Sequence, residues 1–356
     1  MKILFLAPYP KSIAPSQRFR MEHYLTYLDA ANISYEYKTF INSNDFVTIF
    51  TPGKTVKKSL IMLKGFLKRV GMFLTLHKYD FVYIHREVAP FGPPIFEWAI
   101  AKIWAKKIIY DFDDSIWISQ SSTINPMAHK IKCSWKVAKI CKWSHIVSAG
   151  NHFLADYAKQ FCKDVRVIPT VINTDNAHNK IKNQDETPLV IGWTGTFTNF
   201  IHLPLALAAI ADLQKKYNFV LLIIADKNPN LSNVEYQYIK WNKETEIEDL
   251  LRMSIGIMPL INTDVQLGKC AFKAIQYMGL GIPTVVSPVG ANCEVVQDNL
   301  NGYWANSDNE WYSTLEKLIQ SPELRNNLGI AARKTIVNHY SVNNTKEAFL
   351  NLFNAI

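Results

Sequence analysis

Short apolar runs alternate with helical patterns along the whole chain. The runs at 2–7 and 81–84 are closed by polar or proline residues, which is typical of buried parallel strands. Between such runs, apolar residues recur at intervals of three and four, which indicates amphipathic helices. The same alternation resumes at 189–193, 219–225 and 255–260. It predicts an α/β protein in which helices cover both faces of parallel sheets.

A polar segment divides this pattern into two parts. Residues 176–188 are rich in lysine and show no periodicity, which is typical of a linker. We therefore predict one domain over 1–175 and a second over 188–339, both of ordinary size. A last amphipathic helix is predicted at about 340–356.

The composition is that of a folded protein from a reducing compartment. Hydrophobic residues make up 48% of the 356 residues, which is enough for substantial cores. The five cysteines form no CxxC pair and lack zinc-ligand spacing, so we expect small core residues rather than disulfides. The apolar run at the start is shorter than a signal peptide needs, and no run approaches the ~20 residues of a spanning helix. We expect a cytoplasmic protein, soluble or peripheral to a membrane.

Positive charge is concentrated in the first half of the chain. The net charge is +9, and residues 1–175 hold 24 Lys and Arg against 13 Asp and Glu. This asymmetry favours an anionic partner for the first half. Because the charge is interleaved with apolar helix faces rather than with stacking aromatic residues, we do not expect that partner to be nucleic acid.

The stretch Lys54–Lys78 combines this charge with an apolar helical face. Lys57, Lys64 and Lys68 take one face, and five apolar residues keep helical spacing on another. A basic amphipathic helix of this kind suits an anionic membrane, here the inner face of the plasma membrane. The alternative is a helix whose apolar face packs on its own domain beside a solvated basic edge. The apolar residues are Leu60, Leu63, Leu67, Val70 and Leu74.

Residues 254–297 carry the clearest candidate chemistry. An apolar strand is followed by a polar loop, a helical pattern that opens at Gly268 and Lys269, and a second short strand. Lys269 and Lys273 are four residues apart and are expected on one face of that helix. Helix N-termini carry a partial positive charge, so the segment suits a phosphate group. From the residues alone, a buried crossover with two solvated lysines is an equal alternative.

This segment resembles the donor-binding part of retaining nucleotide-sugar glycosyltransferases of glycosyltransferase family 4. The matching stretches are PLINTD at 259–264, GKCAFKAIQYMGLGIPTVVSPVG at 268–290 and NGYW at 301–304. The resemblance covers nearly the whole chain and implies the GT-B fold, in which two Rossmann-like, doubly wound domains face a cleft. It also implies that the C-terminal helix packs back on the first domain.

The resemblance assigns donor-binding roles in the second domain. Family members often carry two glutamates eight residues apart, for the donor sugar and the ribose, and these positions read Gly268 and Gln276 here. Gln276 can still bind a ribose hydroxyl, whereas a sugar contact near Gly268 has to come from backbone or from Asp264. Since GWTGTFTNF lacks the arginine and lysine of the family, Lys269 and Lys273 are expected to neutralise the diphosphate. The other expected donor contacts are Gly195, Thr196, Asp226, Trp241 and Phe272.

Polar residues near predicted strand ends mark a ligand site in the first domain, and the resemblance implies that they contact the acceptor, or a phosphate in the case of Arg18. His85 and Arg86 follow one strand, and Arg18 lies near the start of the helix after the first strand. Ligands of α/β sheets usually bind at such positions. A surface role for Arg18 is an equal alternative.

The segment YDFDDSIW adds three acidic residues after another predicted strand. Asp111, Asp113 and Asp114 should spread in pKa if they are buried close together. They can form an acid/base pair, a metal site or a loop support. The segment resembles one in which family members often carry a His-Asp pair, and those positions read Asp113 and Asp114 here.

The resemblance implies a retaining hexosyltransferase that needs neither a metal nor a cofactor. It would move a hexose from a nucleoside diphosphate sugar to a glycan or lipid-linked acceptor, with Lys269, Lys273, Asp113 and Asp114 as catalytic candidates. Two alternatives stay open: a sugar-nucleotide epimerase of the same fold, and a non-catalytic nucleotide-binding scaffold. A Rossmann dehydrogenase is disfavoured because no GxGxxG follows any strand.

Overall fold

The chain folds into two compact units. A computed structural model describes residues 1–118 and 131–354. The units are Met1–Thr170 with Lys346–Ile356, and Val171–Thr345. In the described part of each unit, six parallel strands form a sheet. The predicted α/β class with parallel sheets is confirmed.

The strands of the first unit form a doubly wound sheet. They are β1 (Lys2–Ala7), β2 (Ser34–Thr39), β3 (Phe81–His85), β4 (Lys107–Phe112), β5 (Ile146–Ala149) and β6 (Val165–Val167). The spatial order is β2-β1-β3-β4-β5-β6, and Ile3 of β1 lies opposite both Tyr35 and Phe81. The strand order therefore reverses between β1 and β3, and the connections after these strands run in opposite directions.

The helices of the first unit cover this sheet. The described ones are α1 (Pro15–Arg20), α2 (Leu25–Ala30), α3 (Ser43–Phe50), α4 (Thr55–Met72), α5 (Ile95–Lys102), α6 (Lys136–Trp143) and α7 (His152–Lys159). Aromatic residues near the end of the chain belong to the same unit. Phe349 stacks on Tyr24 with ring centroids 4.2 Å apart, and Phe353 packs on Phe5 and Phe81.

Arg69 ties α4 to the sheet. Its side chain is buried, and its guanidinium donates hydrogen bonds to the carbonyl oxygens of Ala7 (3.0 Å), Lys38 (3.2 Å) and Val88 (2.9 Å). Burial lowers the pKa of Arg69 to about 10, so the side chain stays charged at neutral pH. Each of the three guanidinium nitrogens thus has an acceptor although the side chain is buried.

The same packing sets which face of α4 points inward. Gly65 lies against the ring of Phe40, and a Cβ on Gly65 would come within 2.4 Å of it. Arg69 and Met72 are also buried, whereas the leucine and valine positions predicted as the apolar face are exposed. The idea that this face packs on its own domain is wrong for the described residues. No helix in this part of the chain is long and apolar enough to cross a membrane.

The strands of the second unit are also doubly wound. They are β7 (Val190–Gly195), β8 (Val220–Ala225), β9 (Tyr236–Lys240), β10 (Ile255–Met258), β11 (Thr284–Val286) and β12 (Tyr303–Trp304). The spatial order is β12-β11-β10-β7-β8-β9, so the strand order reverses between β7 and β10. The described helices are α8 (Pro204–Gln214), α9 (Glu246–Leu251), α10 (Asp264–Leu267), α11 (Phe272–Gly279), α12 (Ala291–Val295), α13 (Asp308–Gln320) and α14 (Pro322–His339).

Helix α11 begins later than predicted. It starts at Phe272, after Ala271 whose φ of 50° lies in the left-handed region, while Gly268 ends α10. Lys269 therefore lies in the loop ahead of α11. The prediction that it shares a helical face with Lys273 is wrong.

Two arginines of α14 hold the stretch ahead of β7 against the second unit. Arg333 donates to the carbonyl oxygens of Thr174 (3.1 Å) and His178 (2.6 Å). Arg325 donates to the side-chain oxygen and the carbonyl oxygen of Gln184, both at 3.2 Å. Three of these four acceptors are backbone carbonyl oxygens, so the main chain of this stretch makes most of the contacts with α14.

Replacing Arg69 tests the orientation of α4. Arg69→Met removes three hydrogen bonds from a buried, charged donor, and we expect it to lower the free energy of unfolding by about 3 kcal/mol or more. Urea unfolding followed by circular dichroism measures the change. The control is Arg252→Met, at an exposed position, which should shift stability by less than about 0.5 kcal/mol. Equal effects of the two substitutions would contradict the assignment.

Candidate functional site

The end of β7 meets the start of α11 where the strand order of the second unit reverses. The hydroxyl of Tyr277 accepts a hydrogen bond from the backbone N–H of Thr194 (2.8 Å), which fixes α11 against β7. Lys273 lies one turn before Tyr277 on the same face of the helix. Its Nζ is 5.6 Å from the centroid of the Trp193 ring. A Cβ on Gly195 would lie 2.5 Å from that ring and 3.0 Å from Cε of Lys273, so glycine leaves the space that the lysine uses.

Two lysines and a histidine gather at this point. Burial, and then the charge of Lys269, lower the pKa of Lys273 to about 8. Burial, Lys273 and Lys269 lower the pKa of His202 to about 4, so its ring is neutral at pH 7. The backbone N–H of Ile261 donates to Nδ1 of His202 (3.3 Å), which leaves the ring proton on Nε2. The structure thus brings Lys269 close to Lys273 and adds His202 beside them.

A carboxylate links two of the predicted donor contacts. Glu246, the first residue of α9, accepts hydrogen bonds at Oε1 from Nε1 of Trp241 (3.3 Å) and from Nε2 of Gln276 (3.2 Å). Gln276 is buried, so this bond orients its amide group. Trp241, an expected donor contact, and Gln276, the expected ribose contact, therefore share one acceptor. Sequence reasoning missed Glu246 because its position depends on how α9 packs beside α11.

The remaining predicted donor contacts lie on neighbouring loops. Asp226, after β8, accepts a hydrogen bond from the backbone N–H of Phe197 (2.7 Å), after β7. The hydroxyl of Thr196 lies 2.8 Å from that of Thr198. These bonds order the loops at two adjacent strand ends. Between β10 and α11, Asp264 starts α10, Gly268 ends it and Phe272 starts α11.

In the first unit, α1 meets the ends of β3 and β4. Ser16 Oγ lies 2.8 Å from Nε2 of His85, and Nδ1 of His85 lies 2.8 Å from Oδ2 of Asp111. Arg20 forms an ion pair with Asp111 and donates to the hydroxyl of Ser148 (3.1 Å). His85, Asp111 and Arg20 are buried, and Ser16 is half-buried. A buried chain of hydrogen bonds therefore leads to the half-buried hydroxyl of Ser16.

Asp113 continues this chain to Arg86. It accepts hydrogen bonds from Ser16 Oγ (2.9 Å) and Arg86 Nε (2.9 Å), with Arg86 Nη2 at 2.7 Å. Burial alone would raise the pKa of Asp113, but Arg86, together with His85, Arg20 and the hydrogen bond from Ser16, holds that pKa below its usual value. Burial likewise raises the pKa of Asp111, but Arg20 and His85 together lower it below its usual value. Each carboxylate has its own cation, so the prediction that like charges spread these pKa values is wrong.

The other predicted residues of the first unit have local roles. Arg86 has a φ of 62°, a strained conformation for a non-glycine residue that is typical of functional sites. Asp114 accepts a hydrogen bond from the backbone N–H of Ser115 (3.0 Å), which supports the loop. The guanidinium of Arg18 lies 4.7 Å from the centroid of the Phe19 ring.

Sequence reasoning assigned no role to Arg20, Ser148, His202 or Glu246. For Arg20 a signal was present, because it lies four residues after Ser16 on a predicted helix. Among the described residues, no three His, Cys, Asp or Glu side chains are grouped as metal ligands.

Residues 188–321 match the family model of glycosyl transferases group 1. The match lies in the second unit and includes Gly195, Lys269 and Lys273. It spans less than half of the chain. A comparison with curated proteins gives no match.

Solved structures resemble both units together. Sucrose-phosphate synthase from Thermosynechococcus elongatus has a TM-score of 0.71 and 12% identity, over 99% of this chain and 98% of that chain. A glycosyltransferase from Rickettsia africae has a TM-score of 0.70 and 15% identity, over 99% of this chain and 97% of that chain. HepE from Anabaena, solved with UDP and glucose, has a TM-score of 0.68 and 12% identity, over 100% of both chains. At this identity the likeness shows the fold, which is GT-B.

The lysine cluster predicts an unusual titration of His202. Its pKa should lie at about 4, and Lys273→Met should raise it because one positive charge is removed. The pKa should remain below the ordinary value of about 6.5, since burial persists. Imidazole NMR signals followed against pH measure this, with His202→Gln to assign the resonance.

The control for this titration is Lys317→Met, which removes an exposed lysine on α13. It should leave the pKa of His202 unchanged. A His202 that titrates near 6.5 in the unmodified protein, or one that ignores Lys273→Met, would contradict the proximity of these groups.

Proposed function

We propose that this protein is a retaining glycosyltransferase of family 4. It transfers a hexose from a nucleoside diphosphate sugar to a glycan or lipid-linked acceptor. The observation that carries the proposal is the side chain of Lys273 beside Gly195, at the reversal of strand order, with Lys269 close enough to lower its pKa. The group 1 glycosyl transferase match over these residues, and the likeness to a protein solved with UDP and glucose, support it.

Lys269 and Lys273 fit the leaving group of this reaction. When the glycosidic bond breaks, its electron pair goes to the diphosphate, and negative charge grows on the phosphate oxygens. Preorganised cations stabilise such charge most strongly where water is excluded. The first turn of α11, which contains Lys273, adds the positive end of a helix dipole. A bound diphosphate also relieves the repulsion between the two lysines, which is the reason to place it here.

The cluster of Trp241, Glu246 and Gln276 fits the nucleoside. An indole offers a flat face to a base, and a carboxylate paired with an amide can accept from and donate to ribose hydroxyls. Glu246 thus supplies the charge that the family has at the position of Gln276. Thr196, Asp226, Asp264, Gly268 and Phe272 complete the proposed donor contacts.

The first unit supplies the proposed acceptor site. Asp113 and the hydroxyl of Ser16 face a strained turn at Arg86, whereas His85 is buried and acts by holding Ser16. Because Arg86 lowers the pKa of Asp113, this carboxylate is a weak base. It suits the orientation of an acceptor hydroxyl better than removal of its proton.

A weak carboxylate base is consistent with retention of configuration. In same-face attack, the leaving phosphate accepts the proton of the acceptor hydroxyl as the new C–O bond forms. No enzyme nucleophile is then required. The proposed setting is the synthesis of surface polysaccharide or another glycoconjugate, with no metal needed because the lysines neutralise the diphosphate.

Nucleotide binding tests the donor site. At 100 times its dissociation constant, the matching nucleotide among UDP, GDP, ADP and TDP should add about 2.7 kcal/mol of stability. Thermal unfolding with and without EDTA measures this, and EDTA should make no difference. Absence of any shift would leave a scaffold without this ligand as the better interpretation.

Turnover tests the role of Lys269. We expect Lys269→Ala to lower the rate of sugar transfer by about 10² or more, because one cation at the leaving group is lost. NMR of the product should show that the anomeric configuration of the donor is kept. The control is Lys317→Ala, which should transfer sugar at the unmodified rate. Turnover of the donor sugar to its epimer without acceptor would instead identify an epimerase.

A further inference from the structure

An apolar stripe runs along the solvent side of α4 and the turn that follows it. Six aliphatic side chains between Val56 and Leu74 are each 56 to 79% exposed. At 100° per residue they fall within about 80° of one another around the helix. The stripe is about 27 Å long at 1.5 Å per residue. Its members are Val56, Leu60, Leu63, Leu67, Val70 and Leu74.

The exposure of this stripe follows from how α4 is anchored. Arg69 faces inward, where its buried guanidinium donates to three backbone carbonyls, and Gly65 has to face inward because only glycine fits against Phe40. A rotation of α4 about its axis that buried Leu63 and Leu67 would expose Arg69 and Gly65. The inward contacts of Arg69 and Gly65 therefore leave the leucines exposed to solvent. An exposed apolar area of this length marks an interaction site.

The surroundings of the stripe are basic. Residues 54–78 contain seven Lys and Arg and no Asp or Glu. Lys57 and Lys64 lie about 60 to 80° around the helix from Leu67, so they flank the stripe along one side. Lys64 also pairs with Asp45 at 3.5 Å, and its side chain remains more than half exposed.

A tryptophan on α5 extends the apolar surface. Phe96 of α5 stacks with Phe66 and Phe73, with ring centroids 6.1 and 6.0 Å away. Ile95 and Trp98 lie three residues apart on the exposed face of α5. Tryptophan favours the boundary between water and lipid.

We propose that this surface, the stripe on α4 with Ile95 and Trp98, lies on an anionic lipid bilayer. The leucines enter the boundary of the acyl chains while Lys57 and Lys64 stay at the level of the negatively charged headgroups. A second copy of the chain fits less well, since a two-fold contact would set the net positive charge of this face against itself. The surface would bring the first unit to the layer where a lipid-linked acceptor resides. Membrane binding itself does not depend on the proposed transfer reaction.

Vesicle flotation tests the surface. The full-length protein should float with phosphatidylglycerol/phosphatidylcholine vesicles at low salt, and binding should fall in 1 M NaCl or with phosphatidylcholine alone. Leu67→Asp and, separately, Leu63→Asp should each lower the bound-to-free ratio at least about tenfold, because a carboxylate replaces a side chain that enters lipid. Both positions are exposed, so thermal midpoints should not change.

The matched control is Leu300→Asp in the second unit. Leu300 is 61% exposed and Leu67 is 62% exposed, so both substitutions place a carboxylate at an equally exposed leucine position. Leu300→Asp should float like the unmodified protein. No flotation with anionic vesicles at low salt, or equal flotation of all variants, would overturn the proposal. A dimer in analytical ultracentrifugation that Leu67→Asp dissociates, without vesicle binding, would overturn it in favour of a contact between copies.

Discussion

The reversal of strand order in each parallel sheet is the constraint on which both sites depend. Parallel strands require crossover connections, and where the order reverses the connections from two adjacent strands diverge and leave a crevice at the carboxyl ends. In the second unit this crevice lies between β7 and β10, where Gly195 meets Lys273. In the first unit it lies between β1 and β3, where Ser16 meets His85.

Opposite charges are paired in the site of the first unit, whereas like charges lie close together in the site of the second unit. In the first unit, Arg20 pairs with Asp111 and Arg86 with Asp113, so the buried charges compensate one another and the carboxylates stay ionised. In the second unit, burial and then the positive charge of Lys269 lower the pKa of Lys273 below the ordinary value of a lysine. Repulsion of this kind is relieved when an anion binds. The first arrangement suits orientation of a neutral hydroxyl group, and the second suits a diphosphate.

Much of the fold was predictable from local patterns. The strands at 2–7, 255–258 and 284–286 follow from short apolar runs, because fully buried parallel strands have no polar side. The face of α4 was not predictable from periodicity, since Arg69 and Gly65 override the leucine pattern through contacts with distant backbone and Phe40.

The sites were predictable only in part. Lys269, Lys273 and Asp113 each follow a predicted strand along the sequence, so they could be identified as candidates. The late start of α11 depends on the left-handed conformation of Ala271, for which no sequence pattern was a guide. His202 and Glu246 approach the site from elements distant in sequence, and such contacts arise only when the helices pack.

Proton uptake on nucleotide binding tests the central claim most directly. Lys273, with a pKa of about 8, is about half-protonated at pH 8. If a diphosphate binds beside it, the pKa rises and UDP should bind with uptake of up to about half a proton. Calorimetry in buffers of different ionisation enthalpy measures this number, and Lys273→Met should abolish the uptake. Binding of UDP with no uptake, or with the same uptake in Lys273→Met, would contradict the account.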